Sequence, residues 1–310
     1  SIGLRAQTRR DMGNYLSGEL FGQYPREGFC KIVGGEAMGT KGNLDSRCSN
    51  LGLPENIHAN MVRLGNGDIL TVVDNTVLVS GDDGGSWTEQ GPVYTGSRPG
   101  VPGSGLLIQT QNDWTVMVYV DSESFIWNWN DETGSADPNA RLDVWAIRSP
   151  DGGKTWLDRQ RIMDGYCGAL ITMIQMNRGP IVVPVQIFLR DPDRHAMTSY
   201  RSEDDGLTWT HSNIIDMGGH GHHDGAMEAT VAELSNSSLL MLIRTNFDYF
   251  WESLSMDQGR SWRILQKTDI DASSSPSYLL RLDSGRLCMV WNRLQASDGS
   301  PPERMSGQYS

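Results

Sequence analysis

The sequence predicts an all-β fold, a β-propeller of four-stranded antiparallel blades, from three observations. An eight-residue turn pattern recurs four times along the chain. Pairs of apolar strands around polar turns precede the copies. No segment sustains a helical period of apolar residues.

The recurring pattern is Ser-x-Asp-x-Gly-x-Ser/Thr-Trp. It reads SGDDGGSW at 80–87, SPDGGKTW at 149–156, SEDDGLTW at 202–209 and SMDQGRSW at 255–262. Asp accepts hydrogen bonds from nearby backbone, Gly supplies backbone freedom, and the Trp opens a strand. The aspartates Asp82, Asp151, Asp204 and Asp257 are spaced 69, 53 and 53 residues apart. A period in this range marks a repeat architecture.

Upstream of the boxes, MVRLGNGDILTVV (61–73), TVAELSNSSLLMLIR (230–244) and YLLRLDSGRLCMVWN (278–292) each read as two strands around a polar turn. Residues 106–120 and 171–185 fit more loosely. A third strand, such as DVWAIRS (143–149) or AMTSYRS (196–202), leads into a box, and a fourth starts at the box Trp. One repeat is therefore a four-stranded meander, a propeller blade. The boxes are expected to tie the turn between strands three and four and to lie far from any active site. Their tryptophans are expected to pack between blades.

The domain reading follows. Residues 55–310 form a single propeller, and residues 1–54 are an N-terminal segment able to complete a blade. Four blades end in a box, and residues 279–292 begin a fifth. The expected full ring has six blades, of which this chain covers about five; the alternative is a five-bladed ring closed by the N-terminal segment.

The long step between the first two boxes places an insertion, DSESFIWNWNDETGSADPNAR (121–141), in blade two. Insertions in repeats map to loops on one face, often the binding face. Phe125, Trp127 and Trp129 alternate within it. Their rings either stack on sugar or pack on the neighbouring blade.

Composition sets outer bounds. The 310 residues carry a formal charge of −12, which disfavours nucleic acid or an anionic membrane surface as main partner. No apolar run is long enough to span a bilayer. The first residues, SIGLRAQTRRDMG, hold no apolar core like a signal peptide's, so one was either never there or removed. Of the four cysteines, Cys30 and Cys48 are close enough in sequence to pair, and Cys167 and Cys288 fall in apolar stretches as buried thiols.

Four boxes on a meander repeat resemble the sialidase superfamily, whose box is called the Asp-box or bacterial neuraminidase repeat. The resemblance covers residues from about 55 to the end. It implies a glycoside hydrolase that releases a terminal acidic sugar, with no cofactor, acting on glycans outside the cytoplasm, secreted or periplasmic. In that family a Glu is paired with a Tyr nucleophile, which a sugar carboxylate does not repel as it would a carboxylate. Three arginines clamp the substrate carboxylate, and an Asp serves as acid/base.

Carried over residue by residue, DGAMEATVAELSNSSLLMLIRTN (224–246) looks like the family's Glu-then-Arg hairpin. Glu228 opens the first strand and would activate the nucleophile. Arg244 closes the second as a clamp arginine, with Asn246 just beyond it. PPERMSGQYS (301–310) resembles the segment that brings a further clamp arginine, Arg304. Two departures stand out. His58 occupies the place of the first clamp arginine, and the loop that carries the acid is cut to Asp74 and Asn75. The stretch HGHHDGAME (220–228) is a possible replacement: His223 or Asp224 as acid/base or sugar contact, or a zinc site with His220 and His222, or a solvated loop. No metal is assigned. The family Tyr is expected past Ser310, in a sequence that runs on; Tyr249 and Tyr278 lie in the right blades but match no motif.

Two other function classes fit the same residues. A lyase acting on uronate polysaccharide needs a group to neutralise the carboxylate and a base for the C5 proton, roles open to His58, His223 and Arg244. A non-catalytic carbohydrate-binding propeller fits the shortened blade-one loop.

Overall fold

The computed structural model describes residues 60–95, 105–177 and 179–292, together with strands Gly3–Ala6 and Ile32–Val33. His58, Arg304, Cys30 and Cys48 lie outside the described residues.

Among the described residues, five four-stranded antiparallel sheets follow one another as blades. Blade one is Val62–Arg63, Ile69–Val73, Thr76–Ser80 and Thr88–Pro92. Blade two is Gly105–Gln109, Thr115–Val120, Val144–Ser149 and Leu157–Met163. Blade three is Ile174–Gln175, Ile181–Leu189, Arg194–Ser202 and Thr210–His211. Blade four is Met227–Glu233, Leu239–Arg244, Tyr249–Ser255 and Arg263–Asp271. In the fifth sheet Tyr278–Arg281 and Leu287–Trp291 are joined by Gly3–Ala6, paired with Leu287–Trp291, and then Ile32–Val33. Each fourth strand of the boxed blades begins one residue past its box Trp.

Period-two alternation explains the core. Successive side chains of a strand point to opposite faces, and a blade has a neighbour on both faces. In Thr115–Val120 every residue is buried. Val116, Val118 and Val120 pack toward blade three with Ile181, Val183 and Val185. Met117 and Tyr119 pack the other way, against Leu70, Val72 and Val77 of blade one. Equivalent apolar layers join blades three and four through Val182, Met197, Val231 and Met241, and blades four and five through Leu240, Leu242, Leu279 and Met289. The fourth strands are outer edges; Leu157–Met163 is mostly exposed. Cys167 and Cys288 are free and buried.

The boxes do what their composition predicts. In the first, Asp82 accepts from the Ser86 N–H at 2.8 Å and the Ser86 hydroxyl at 2.7 Å, while Ser80 Oγ donates to it at 2.8 Å. Those bonds, the Ser86 N–H first, hold its carboxyl down to about 2. The same bonds recur at Asp151, Asp204 and Asp257. Trp156 packs on the layer between blades one and two, Trp209 between two and three, and Trp262 between three and four. Each of these therefore seals its blade to the preceding one.

A meander puts alternate connections at opposite ends. The boxes share one end with the turns between strands one and two. The connections between strands two and three, and those from blade to blade, share the other. That second end carries Asp74, the insertion, the 212–226 connection and the close of the Glu228–Arg244 hairpin.

Candidate active site

The blade-four hairpin supplies the central pair. Its ladder pairs Met227 with Arg244 and then Thr230 with Leu242, so Glu228 and Ala229 oppose one residue. This bulge bends the strand and re-aims a side chain. Glu228 sits at φ +37°, uncommon for a residue with a β-carbon. Its carboxylate Oε2 lies 2.6 Å from Arg244 Nη1, with side chains 20% and 9% exposed. The two ends of the hairpin thus meet as the sequence implied. Arg244 Nε is buried with no hydrogen-bond partner among the described residues, as is Asn246 Oδ1 on the turn beyond it.

Behind Glu228 runs a polar chain that sequence reasoning missed. The Glu228 N–H, turned aside by the bulge, donates to Gln186 Oε1 at 3.0 Å. Gln186 Nε2 lies 2.8 Å from His195 Nδ1, and His195 Nε2 lies 2.8 Å from the His222 carbonyl oxygen. That carbonyl can only accept, so His195 carries its proton on Nε2 and accepts from Gln186 at Nδ1. Burial pushes the His195 imidazole down to about 4, with His223, His222 and Arg244 adding repulsion to a charged ring. The one signal for these residues was a lone Gln in the apolar run VPVQIFL (183–189).

The His-rich connection divides into separate duties. Asp224 accepts the His220 N–H at 3.0 Å and the Gly225 N–H at 2.8 Å, so its carboxylate braces the loop. Gly225 is required there: at φ +97° an added β-carbon would stand 2.1 Å from the His195 carbonyl oxygen. His220 Nε2 lies 2.7 Å from the Gly134 carbonyl oxygen and holds the insertion. His223 is half-buried beside His222, ring centroids 4.1 Å apart. Its imidazole is pushed down to about 4, by burial first and then by His222 and Arg244, which leaves it neutral near pH 7. Among the described residues no group of three or more His, Cys, Asp or Glu is arranged to hold a metal ion.

The insertion folds across blade three. Its Ala136 N–H donates to Asp193 at 2.7 Å, and Arg190 Nη2 donates to the Asp137 carbonyl at 2.7 Å. Trp127 stacks on Tyr166 at 4.1 Å and meets Phe188 edge-on at 5.4 Å. Of the two readings of these rings, Trp127 takes the packed one. Trp129 stacks on His222 at 5.5 Å, and Phe125 is 47% exposed. Tyr166, also missed in the sequence, is raised to about 12 by burial, with Cys167 and Glu228 adding. Asp74, at φ +53°, forms the exposed two-residue turn of blade one at the same end. Tyr278, exposed, opens blade five at that end; Tyr249 lies under Lys267 Nζ at 3.8 Å from its ring centre.

Comparison with known proteins agrees with the architecture. A model of the BNR repeat-like domain matches residues 66–304. A sialidase of Paraclostridium sordellii is 28% identical over 156 residues, 44% of this chain and 37% of the relative. A sialidase of Clostridium perfringens is 28% identical over 160 residues, 45% of this chain and 40% of the relative. The matches thus span about two fifths of those relatives. Among solved structures, a protein of unknown function from Dyadobacter fermentans superposes with a TM-score of 0.55 at 18% identity, covering 78% of this chain and 77% of that one. An α-L-arabinofuranosidase of Fusarium graminearum, in complex with arabinobiose, gives 0.51 at 13% identity, covering 76% of each chain. At such identities these two show the fold alone.

Proposed function

Since the chain belongs to the BNR repeat-like domain family, a β-propeller of the sialidase superfamily, we propose that it is a glycoside hydrolase that releases a terminal acidic sugar at the Glu228–Arg244 end of the propeller. The observation that carries this reading is the 2.6 Å contact between Glu228 and Arg244 across one bulged hairpin. It sets a carboxylate beside a guanidinium whose Nε–H has no protein partner among the described residues. A buried donor of this kind is costly unless a ligand or water takes it. A sugar carboxylate fits it in charge and geometry.

In this reading Arg244 binds the substrate carboxylate and Glu228 takes a proton from the attacking group. Asn246 offers a carbonyl oxygen to a sugar hydroxyl. Asp74 is assigned the leaving-group proton because it is an exposed carboxyl at the same end. His223, neutral near pH 7, serves as a hydrogen-bonding contact beside Arg244. Trp129 and Phe125 are the rings offered to the remainder of the glycan.

The test is hydrolysis of a fluorogenic α-sialoside by the full-length protein. Turnover that falls about 100- to 10,000-fold in Glu228→Gln, with the fold intact, supports the assignment. Turnover that survives the substitution removes Glu228 from the mechanism. Cleavage of a neutral arabinofuranoside in place of the sialoside would refute the acidic-sugar part alone, and an unsaturated product from a uronate polymer would replace hydrolysis with elimination.

A further inference from the structure

We propose that Gln186 and His195 are positioning residues for Glu228, forming a one-directional hydrogen-bond relay that fixes its main chain in the bulge and so aims its carboxylate at Arg244. The inference deepens the reading above and rests on Glu228 being the catalytic carboxylate.

The relay begins at the His222 carbonyl, which admits only a donor. His195 Nε2–H supplies it, which leaves Nδ1 as an acceptor. Gln186 must then turn its amide nitrogen to His195 and its oxygen to the Glu228 N–H. The opposite amide orientation would set two acceptors against each other at His195 Nδ1 and two donors against each other at the Glu228 N–H. One fixed carbonyl therefore sets the tautomer of a histidine, the flip of a glutamine and the partner of one backbone N–H.

Burial makes this order strict. Gln186 is 4% and His195 3% exposed, and they sit on adjacent strands of blade three, so neither can turn to bulk water. A buried polar group without its partner is expensive, and a chain of them is satisfied as a whole or fails as a whole. The rings of Trp127, Phe188 and Tyr166 surround His195, and the charged or titratable groups acting on it are His222, His223 and Arg244. None of these is an acid that would hold a proton on Nδ1.

The far end explains the purpose. The blade-four ladder does not use the Glu228 N–H, because Glu228 lies in the bulge at positive φ. Gln186, from the neighbouring blade, takes that N–H instead. Strained backbone at a working residue persists only where its surroundings hold it. Glu228 is thus held from two directions: its main chain by Gln186 and its side chain by Arg244.

The experiment pairs magnetic resonance with kinetics on the full-length protein. In the wild type the His195 ring nitrogens are expected to report a proton on Nε2 and none on Nδ1 from about pH 5 to 8. Gln186→Met, similar in volume and apolar, is expected to fold, to shift the Glu228 amide and carboxyl resonances, and to lower kcat on the sialoside on the order of 100-fold with KM moved less than about twofold. His195→Gln keeps a donor for the His222 carbonyl but offers Gln186 a poorer acceptor. It is expected to lower kcat in the same direction by about tenfold, and it serves as the second variant should Gln186→Met not fold. An Nδ1–H tautomer at His195, or unchanged kcat and Glu228 resonances in both variants, overturns the relay. Should the wild type cleave none of the glycosides, the glycosidase reading fails by itself. The relay is then decided by the Glu228 carboxyl resonance, whose movement in either variant supports it and whose constancy in both defeats it.

Discussion

Trp127 and His222 are joined by a hydrogen bond, Nε1 donating to Nε2 at 3.2 Å, which fastens the blade-two insertion to the connection that enters blade four. Their rings also stack at 5.4 Å. The insertion, which leaves blade two, is therefore tied to the loop that leads into the Glu228 strand. His222→Ala is expected to raise hydrogen exchange of the Ile126 and Arg141 amides, which bond each other's carbonyls, by about 10-fold or more, while strand amides of blade two stay protected. Equal exchange in variant and wild type would mean that Asp193, Arg190 and His220 hold the insertion without His222. The bond also needs an unprotonated Nε2. Burial lowers the His222 pKa, so docking should persist below the ordinary histidine range and weaken only on further acidification.

The Glu228–Arg244 pair should affect stability asymmetrically. Arg244→Met strands a mostly buried carboxylate and is expected to destabilise by about 3 kcal/mol. Glu228→Gln keeps an acceptor for Arg244 and relieves no packing, so its cost should stay within about 1 kcal/mol. Urea unfolding of both variants decides this. Equal costs would show that the pair contributes packing and little charge interaction.

One box glycine and one hairpin-turn glycine together offer a cleaner steric test. Gly153 lies at φ +86°, and an added β-carbon would stand 2.5 Å from Leu70 Cδ1 of the preceding blade. Gly67 lies at φ +95° with nothing within 4 Å. Both alanine substitutions incur a backbone penalty of about 1 kcal/mol. Gly153→Ala should add a further 1–3 kcal/mol of overpacking between blades. Similar melting temperatures for the two variants would show that blades one and two separate slightly at no measurable cost.

The fold was legible because its signals are local. A Ser, Asp, Gly and Trp within eight residues bond mainly to one another, so four copies and the strands around them give the blade directly. The Glu228–Arg244 pair was legible for a related reason, since both ends of one hairpin must meet. Gln186, His195 and Tyr166 were not legible. Their roles come from the side-by-side placement of blades two, three and four, and a buried polar residue in an apolar strand carries no mark of its partner. Trp127 shows the same limit: alternation placed it on a strand-like insertion but could not choose between a sugar and the rings of Tyr166 and Phe188.

Acid stability should report His195 in a window of its own. Its folded pKa lies near 4, below the ordinary histidine value of 6.5. Between those values the unfolded chain binds a proton that the folded protein refuses, so stability falls as pH drops from about 6.5 toward 4 and rises again with pH. Below the folded pKa both states are protonated and this loss is complete. For a ring 3% exposed the loss is on the order of 3 kcal/mol. His223, depressed likewise, acts in the same direction. The box aspartates act lower: their folded pKa values are depressed from 3.8, so the stability they add is lost only as pH falls below that. Urea unfolding at pH 7.5 and 4.5 should therefore show a steep loss in the wild type. His195→Gln should be less stable at the higher pH and lose distinctly less on going to the lower. The same loss in both proteins would place the proton uptake elsewhere, with His223 the first alternative to substitute.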